Sequence, residues 1–300
     1  MHVTGLGQCS LDYLSLVDVY PPVNTKQEVL QWQEQGGGPV ATALVALARL
    51  GISCSFCGIT GDDEEGKKIR QSLEDEGIDV TGLVRRKNGS SQMAFIAVEK
   101  NSARRTIFWR RPLGKALQPD ELGDDFLRGT DYLLVDGLMM DATLTAVKRA
   151  REMNIPVLLD AGSARPGMFE LAKWCDYVVA SEVFAEDLGW ELTPQALLDE
   201  SEALGVRALT ITLGERGSIT VADGRIIRTP AFKVEAVDTT GAGDVFHGGY
   251  IFGLLQGWDI ERVVRFASAV AAIKCRHMGG RTGIPRLDEV MQFLQGQDQK

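Results

Sequence analysis

One stretch restricts what this chain can fold into more than any other: Val237-Asp238-Thr239-Thr240-Gly241-Ala242-Gly243-Asp244-Val245. An apolar run (Ala231, Phe232, Val234, Val237) stops at a glycine-rich turn, and the turn opens directly into a helical pattern from Gly243 to about Gln256. A helix starting there leaves the N–H groups of Gly241, Ala242, Gly243 and Asp244 unpaired at the positive end of its dipole. Such a place holds an anion well, phosphate above all. Asp244 adds chemistry. A carboxylate beside phosphate is repelled, so the role that fits it is general base, taking the proton of an attacking hydroxyl while the neighbouring amides stabilise charge on the transferring group. The bland alternative is an ordinary first-turn acid behind a glycine turn. Gly248, Gly249 and Gly253 in the following helix each cost about 1 kcal/mol against alanine. Backbone packed close to a ligand or a neighbouring strand would explain them.

Asp238 to Asp244, Asp-Thr-Thr-Gly-Ala-Gly-Asp, resembles the C-terminal motif of the PfkB family of carbohydrate kinases, which have the ribokinase-like fold. The resemblance implies an α/β protein: a three-layer α/β/α domain over residues 1–300, with a mainly parallel central sheet and a small β-sheet lid inserted from about 13–35 and 91–112. It also implies an enzyme, a phosphotransferase with an alcohol group as acceptor. ATP would give its γ-phosphoryl group to a hydroxyl of a sugar or sugar acid, with Mg2+ as cofactor, Asp244 as base and the Gly241–Gly243 backbone as anion hole.

Composition narrows the partners. A formal charge of −9 argues against nucleic acid and against an anionic membrane surface. The N-terminal residues carry no basic region or long apolar segment, and no apolar run reaches spanning length, so the expected compartment is the cytoplasm. The five cysteines are scattered. Cys54 and Cys57 fall in a probable strand over residues 52–59, where positions three apart face opposite sides, so they read as buried thiols and not as a metal or redox pair. His2, His247 and His277 show no metal spacing.

Residues 2–7 read as a buried strand. Ser10 stands where a dinucleotide loop starting at Gly5 would need its third glycine. Residues 13–35 have strand character broken at Pro21-Pro22-Val23-Asn24, a hairpin connection. Gly36-Gly37-Gly38 then leads into Pro39, a natural first helical residue, and a helix over 40–50 that is apolar nearly all round. Three glycines there would let a substrate approach the backbone. Gly61 to Lys68 comes close to a phosphate-binding loop, but Lys68 replaces the required hydroxyl and four successive acids would repel phosphate. A surface helix over 64–76 explains it better. Strands over 91–98 and 104–111, joined by the turn 99–103, would complete the lid.

The lid is basic. Lys26, Arg104, Arg105, Arg110 and Arg111 either form a charged edge that blocks aggregation, or Lys26, Arg105 and Arg110 grip an anionic substrate group. In the middle of the chain, strands over 132–135, 155–159, 177–180 and 208–213 alternate with helical segments near 141–153, 167–173 and 194–204. Their ends at Asp136, Asp160, Ser181-Glu182 and Gly214 should face the crevice of a parallel sheet. Two more helices are expected, over 260–277 and 287–294.

The resemblance assigns further roles. Asp12, reached from Gly7 by the family's Gly-x-x-x-x-Asp spacing, would bind a sugar hydroxyl, and Gly36, Gly37 and Gly38 would match the N-terminal Gly-Gly motif. Glu182 would correspond to the acid of a magnesium- and phosphate-linked motif. Thr212, Gly214 and Gly217 would lie along the nucleotide, the Gly279-Gly280 turn would border the adenine, and Asp238 with Thr240 would form a monovalent-cation site, with K+ as its candidate ion. A homodimer through the lid is implied as well. Residues 36–43, 230–244, 265–268 and 274–280 look most like the branch containing sulfofructose kinase. The competing readings are a sugar-phosphate kinase, which would want the lid arginines, a nucleoside kinase, which would want an aromatic clamp, and a regulator that binds nucleotide or sugar without turnover. Asp244 weighs against the last.

Overall fold

Short apolar strands separated by amphipathic helices bury both faces of a parallel sheet, because each crossover lays a helix on one face or the other. The computed structural model describes residues 1–298. In chain order its elements are β1 (His2–Leu6), β2 (Ser10–Val17), β3 (Val29–Gly37), α1 (Pro39–Arg49), β4 (Ser53–Gly61), α2 (Glu64–Glu74), β5 (Leu83–Arg86), β6 (Met93–Glu99) and β7 (Arg105–Arg110). Then come β8 (Tyr132–Val135), α3 (Met140–Glu152), β9 (Val157–Ala161), α4 (Met168–Ala172), β10 (Tyr177–Ser181), α5 (Glu182–Asp187), α6 (Pro194–Leu204), β11 (Ala208–Thr212), β12 (Ser218–Ala222), β13 (Arg225–Thr229), α7 (Ala242–Leu255), α8 (Ile260–Lys274) and α9 (Leu287–Asp298).

The larger sheet runs β13-β12-β11-β10-β9-β8-β1-β4-β5, parallel from β11 to β5 with β12 and β13 as an antiparallel edge. Sequence reasoning did not separate β5, β12 or β13. The hairpin signal was present: Asp223 and Gly224, both at positive φ, make the two-residue turn between β12 and β13. Alternate strand residues go to opposite layers. Leu134, Leu158 and Val179 join the core under α1, α7 and α8, whereas Leu133, Leu159 and Val178 join the core on the other face with α3 and α6. Cys54 and Cys57 divide between these two cores, as the pleat requires, and all five cysteines are buried and free.

Helix α7 lies between α1 and α8, and every residue from Val245 to Gly253 is buried. A methyl group at Gly248 would sit 2.7 Å from the Ala43 carbonyl oxygen, and one at Gly249 would sit 2.9 Å from the Ala267 Cα. These glycines therefore admit neighbouring helices, not the ligand or strand expected from the sequence. Their combined cost of about 3 kcal/mol is outweighed by burial of Phe246, Tyr250, Ile251 and Phe252, at about 1.5–3 kcal/mol for each large side chain.

The smaller sheet, β3-β2-β6-β7, begins with β2 just beyond the carboxyl end of β1. Leu14, Ala94, Ile96 and Val98 fasten it to Met278. Pairing without interruption through β6 and β7 puts Arg105, Ile107 and Trp109 on this inner face with Asp12, and Phe108 and Arg110 on the outer face with Tyr13 and Phe95.

Gly249→Ala is expected to destabilise the protein by about 1–3 kcal/mol, because the new methyl group meets backbone rather than a yielding side chain. Gly296→Ala, on α9 with open space around it, serves as the control and should leave the melting midpoint unchanged or slightly raised.

Candidate active site

The order of the larger sheet reverses at β1, with β4 on one side and β8 on the other, and ligands bind at such a point beyond the strand ends. Four carboxyls converge there: Asp12 on β2, Asp136 after β8, Asp160 on β9 and Asp244 in the first turn of α7. Asp136 accepts from the Gln8 and Leu138 amides at 2.7 and 2.9 Å, and Asp12 accepts from Ser10 Oγ at 2.7 Å. Burial raises the pKa of all four. The charge on Asp136 pushes Asp160 further up, and Asp160 does the same to Asp244, which reaches about 7.

His247 lies one turn into α7, its Nδ1 2.6 Å from the Gly243 carbonyl oxygen and its Nε2 3.5 Å from Asp160. Nε2 also lies 3.2 Å from the Val179 carbonyl oxygen, so each ring nitrogen faces a backbone acceptor, and burial lowers the pKa of the ring. Sequence reasoning gave His247 no role, and Asp136 and Asp160 only a place facing the crevice.

The start of α7 is held from behind. Gly241, at φ 73°, caps the helix, and its backbone packs on the Gly279-Gly280 turn so tightly that a methyl group would lie 2.9 Å from the Gly280 Cα. The Ala242 amide donates to the Thr239 carbonyl at 3.2 Å, so it is already engaged. The Gly243 and Asp244 amides belong to the first turn and have no preceding helical carbonyl, and Gly243 is exposed, with nothing within 4 Å of where a side chain would begin. Asp238 accepts from the Thr240 amide and hydroxyl at 2.8 and 2.7 Å and from the Gly279 amide at 2.7 Å. Its carbonyl oxygen and that of Thr240 accept from Lys274 Nζ. The pair expected to hold a monovalent cation is thus occupied by a lysine, which the sequence did not reveal. Burial lowers the Lys274 pKa, and the Asp238 charge opposes that.

The triple glycine packs against buried polar side chains. A side chain at Gly36 would collide with the Arg281 guanidinium, and one at Gly37 with the Asp12 carboxylate. Gly38, at φ 94°, caps α1. Arg281 is buried behind this loop and donates to the Gly37 carbonyl at 3.0 Å, Ser72 at 3.2 Å and Thr42 at 3.3 Å, and burial brings its pKa down to about 10. These glycines make room for buried polar side chains.

Among the lid cations, Arg105 reaches the site, with Nη1 3.0 Å from Thr239 Oγ1. Arg110 points to the opposite face of β7, and Lys26 is exposed in the β2–β3 connection. On the nucleotide side, Gly214 opens a single 3-10 turn with free space around it, and Thr212 Oγ1 donates to the Ala180 carbonyl at 3.2 Å. Gly217 is required by β13, since a side chain there would strike the Thr229 carbonyl. Glu182, expected to serve Mg2+, is ion-paired with Arg216 at the surface.

The chain has a ribokinase-like α/β fold with an aspartate at a glycine-rich helix start, the architecture of a phosphotransferase. Residues 3–287 match the model described as pfkB family carbohydrate kinase, and the chain belongs to that family. It is 28% identical over 310 residues to a ribokinase of Haemophilus influenzae, covering 98% of each chain. It is also 28% identical over 300 residues to an ATP-dependent ribose-1-phosphate kinase of Halopiger xanaduensis, again covering 98% of each. The crystal structure of a putative ribokinase from Agrobacterium tumefaciens superposes with a TM-score of 0.89 at 27% identity, over 100% of this chain and 99% of the other. The protein is an ATP-dependent sugar kinase, with an alcohol group as acceptor.

Kinases of this family use ATP with Mg2+. Among the described residues no three His, Cys, Asp or Glu side chains are grouped to hold a metal. That fits a Mg2+ carried mainly by phosphate oxygens and water, as is usual for this ion.

Proposed function

We propose that Asp244 removes the proton from a sugar hydroxyl as that oxygen attacks the γ-phosphorus of ATP, with the Gly241–Gly243 segment as the anion hole. The observation that carries this reading is a half-buried carboxylate in the first turn of α7, next to the exposed Gly243, with its pKa raised to about 7, where a base is both ionised and strong enough to act. Asp12 holds a second hydroxyl on the lid side. Gly214 and the Gly279-Gly280 turn border the nucleotide. Mg2+ neutralises phosphate charge when bound with ATP.

The acceptor sugar carries an anionic group such as carboxylate, sulfonate or phosphate. Arg105 supports this, since it points inward from the lid toward the anion-hole loop. A relative that acts on ribose 1-phosphate is consistent with it. Trp109 would suit a nucleoside base, but the Arg111 guanidinium covers its ring at 4.9 Å. Residues 13–35 and 91–112 act as the lid, and the outer face of that lid pairs with a second copy of the chain. Trp32, Phe95 and Phe108 are 60%, 54% and 56% exposed there, more apolar surface than a solitary sheet face usually shows water. ATP as donor and five free thiols fit the cytoplasm.

ADP release measured with a panel of neutral and anionic sugars should favour the anionic ones. Asp244→Asn should keep ATP affinity and lose about 10²–10⁴ in turnover; near-normal turnover would refute the assignment. Because Asp244 must be ionised to accept a proton, kcat/KM should rise with pH through about 7. Asp160→Asn removes the like charge beside it and should move that limb to lower pH; an unmoved limb would contradict the coupling. Sedimentation equilibrium should report a dimer, and the double variant Trp32→Glu, Phe108→Glu a monomer.

A further inference from the structure

Lys274 ends α8, where a lysine ordinarily extends its ammonium into water. Here the side chain is 0% exposed. Its Nζ lies 2.9 Å from the Asp238 carbonyl oxygen and donates also to that of Thr240. Asp238 is equally buried, and the three donors on its carboxylate are the Thr240 amide, the Thr240 hydroxyl and the Gly279 amide. The Asp238 and Asp244 carboxylates supply the negative potential around the ammonium, and Arg105 is the opposing cation. The next residue along the loop is Gly241, the cap of α7. Whatever cation sits between these two carbonyls therefore sets the path of the chain into the anion hole.

An ammonium and a potassium ion have the same charge and similar radii, and both are satisfied by backbone carbonyl oxygens. Two such charges in one buried space repel strongly. A monovalent ion on Asp238 and Thr240, as the family resemblance implies, does not fit this structure. We propose that the Lys274 ammonium is a built-in monovalent cation: it replaces a bound K+ at the anion-hole loop and makes this kinase independent of external K+. Lys274 is a positioning residue, since it acts through the Asp238–Thr240 backbone. Tethering keeps the cation in place at any salt composition.

The inference rests on the kinase reading for its turnover arm and stands apart from it in its melting arm. Turnover of the unmodified protein would be compared in KCl, NaCl and tetramethylammonium chloride at equal ionic strength, and should agree within about twofold, far below the usual range of effector coupling. Lys274→Ala opens the space while leaving the carbonyls. In tetramethylammonium it should lose turnover, and K+ or NH4+ should restore it saturably, by about tenfold or more. Without substrate, the melting midpoint of Lys274→Ala should rise with K+ and not with tetramethylammonium, while that of the unmodified protein responds equally to both. If Lys274→Ala does not fold, Lys274→Ser, whose short side chain leaves the same space, and the unmodified protein still decide the matter. Activation of the unmodified protein by K+, or a Lys274 variant indifferent to K+ in both assays, would overturn the proposal. Absence of turnover on every sugar would defeat the kinase reading and leave the melting comparison intact.

Discussion

The structure depends on the amino end of α7 being held still with its amides turned outward. A helix start exposes those amides to water or to a ligand, and solvent alone would not fix their direction. Here the body of the helix is wedged between α1 and α8 through Gly248 and Gly249, and its cap is pressed on Gly280. The loop before it is tied by its amides to the Cys275 carbonyl and by its carbonyls to Lys274. An anion hole works because its donors do not reorganise when charge develops, and in the proposed mechanism this packing would supply that rigidity.

Buried negative charge is the second constraint. Asp12, Asp136, Asp160 and Asp244 meet where the sheet order reverses, and each makes its neighbours harder to ionise. The compensating cations come from distant segments: Arg105 from the lid, Arg165 from the loop after β9, and Lys274 and Arg281 from the C-terminal quarter. The result is a carboxylate with basicity suited to neutral pH, next to a place where phosphate is welcome.

What the sequence made legible follows from how local each signal is. The helix start at Gly241–Gly243, the parallel strand run and the buried α1 are written in adjacent residues, and the structure has them within a few positions of where those residues put them; the apolar run before Gly241 is loop and not strand. Gly36, Gly37 and Gly217 also have a packing reason to be glycine that no local pattern announces, since the groups beside them, Arg281, Asp12 and the Thr229 carbonyl, are separated from them in sequence. Arg105 and Arg110 are an odd number of residues apart on β7, and that parity puts them on opposite faces. Lys274 looked like an ordinary lysine at a helix end. Its burial is a property of the tertiary structure, and no local pattern announces it.

The most direct test of the central claim is a crystal structure with a non-hydrolysable ATP analogue and an acceptor sugar bound together. The account predicts the γ-phosphate against the Gly243 and Asp244 amides, and one sugar hydroxyl about 2.6–3.2 Å from the Asp244 carboxylate, in line with the phosphorus. A γ-phosphate seated elsewhere, or an Asp244 carboxylate turned away from every sugar hydroxyl, would contradict it.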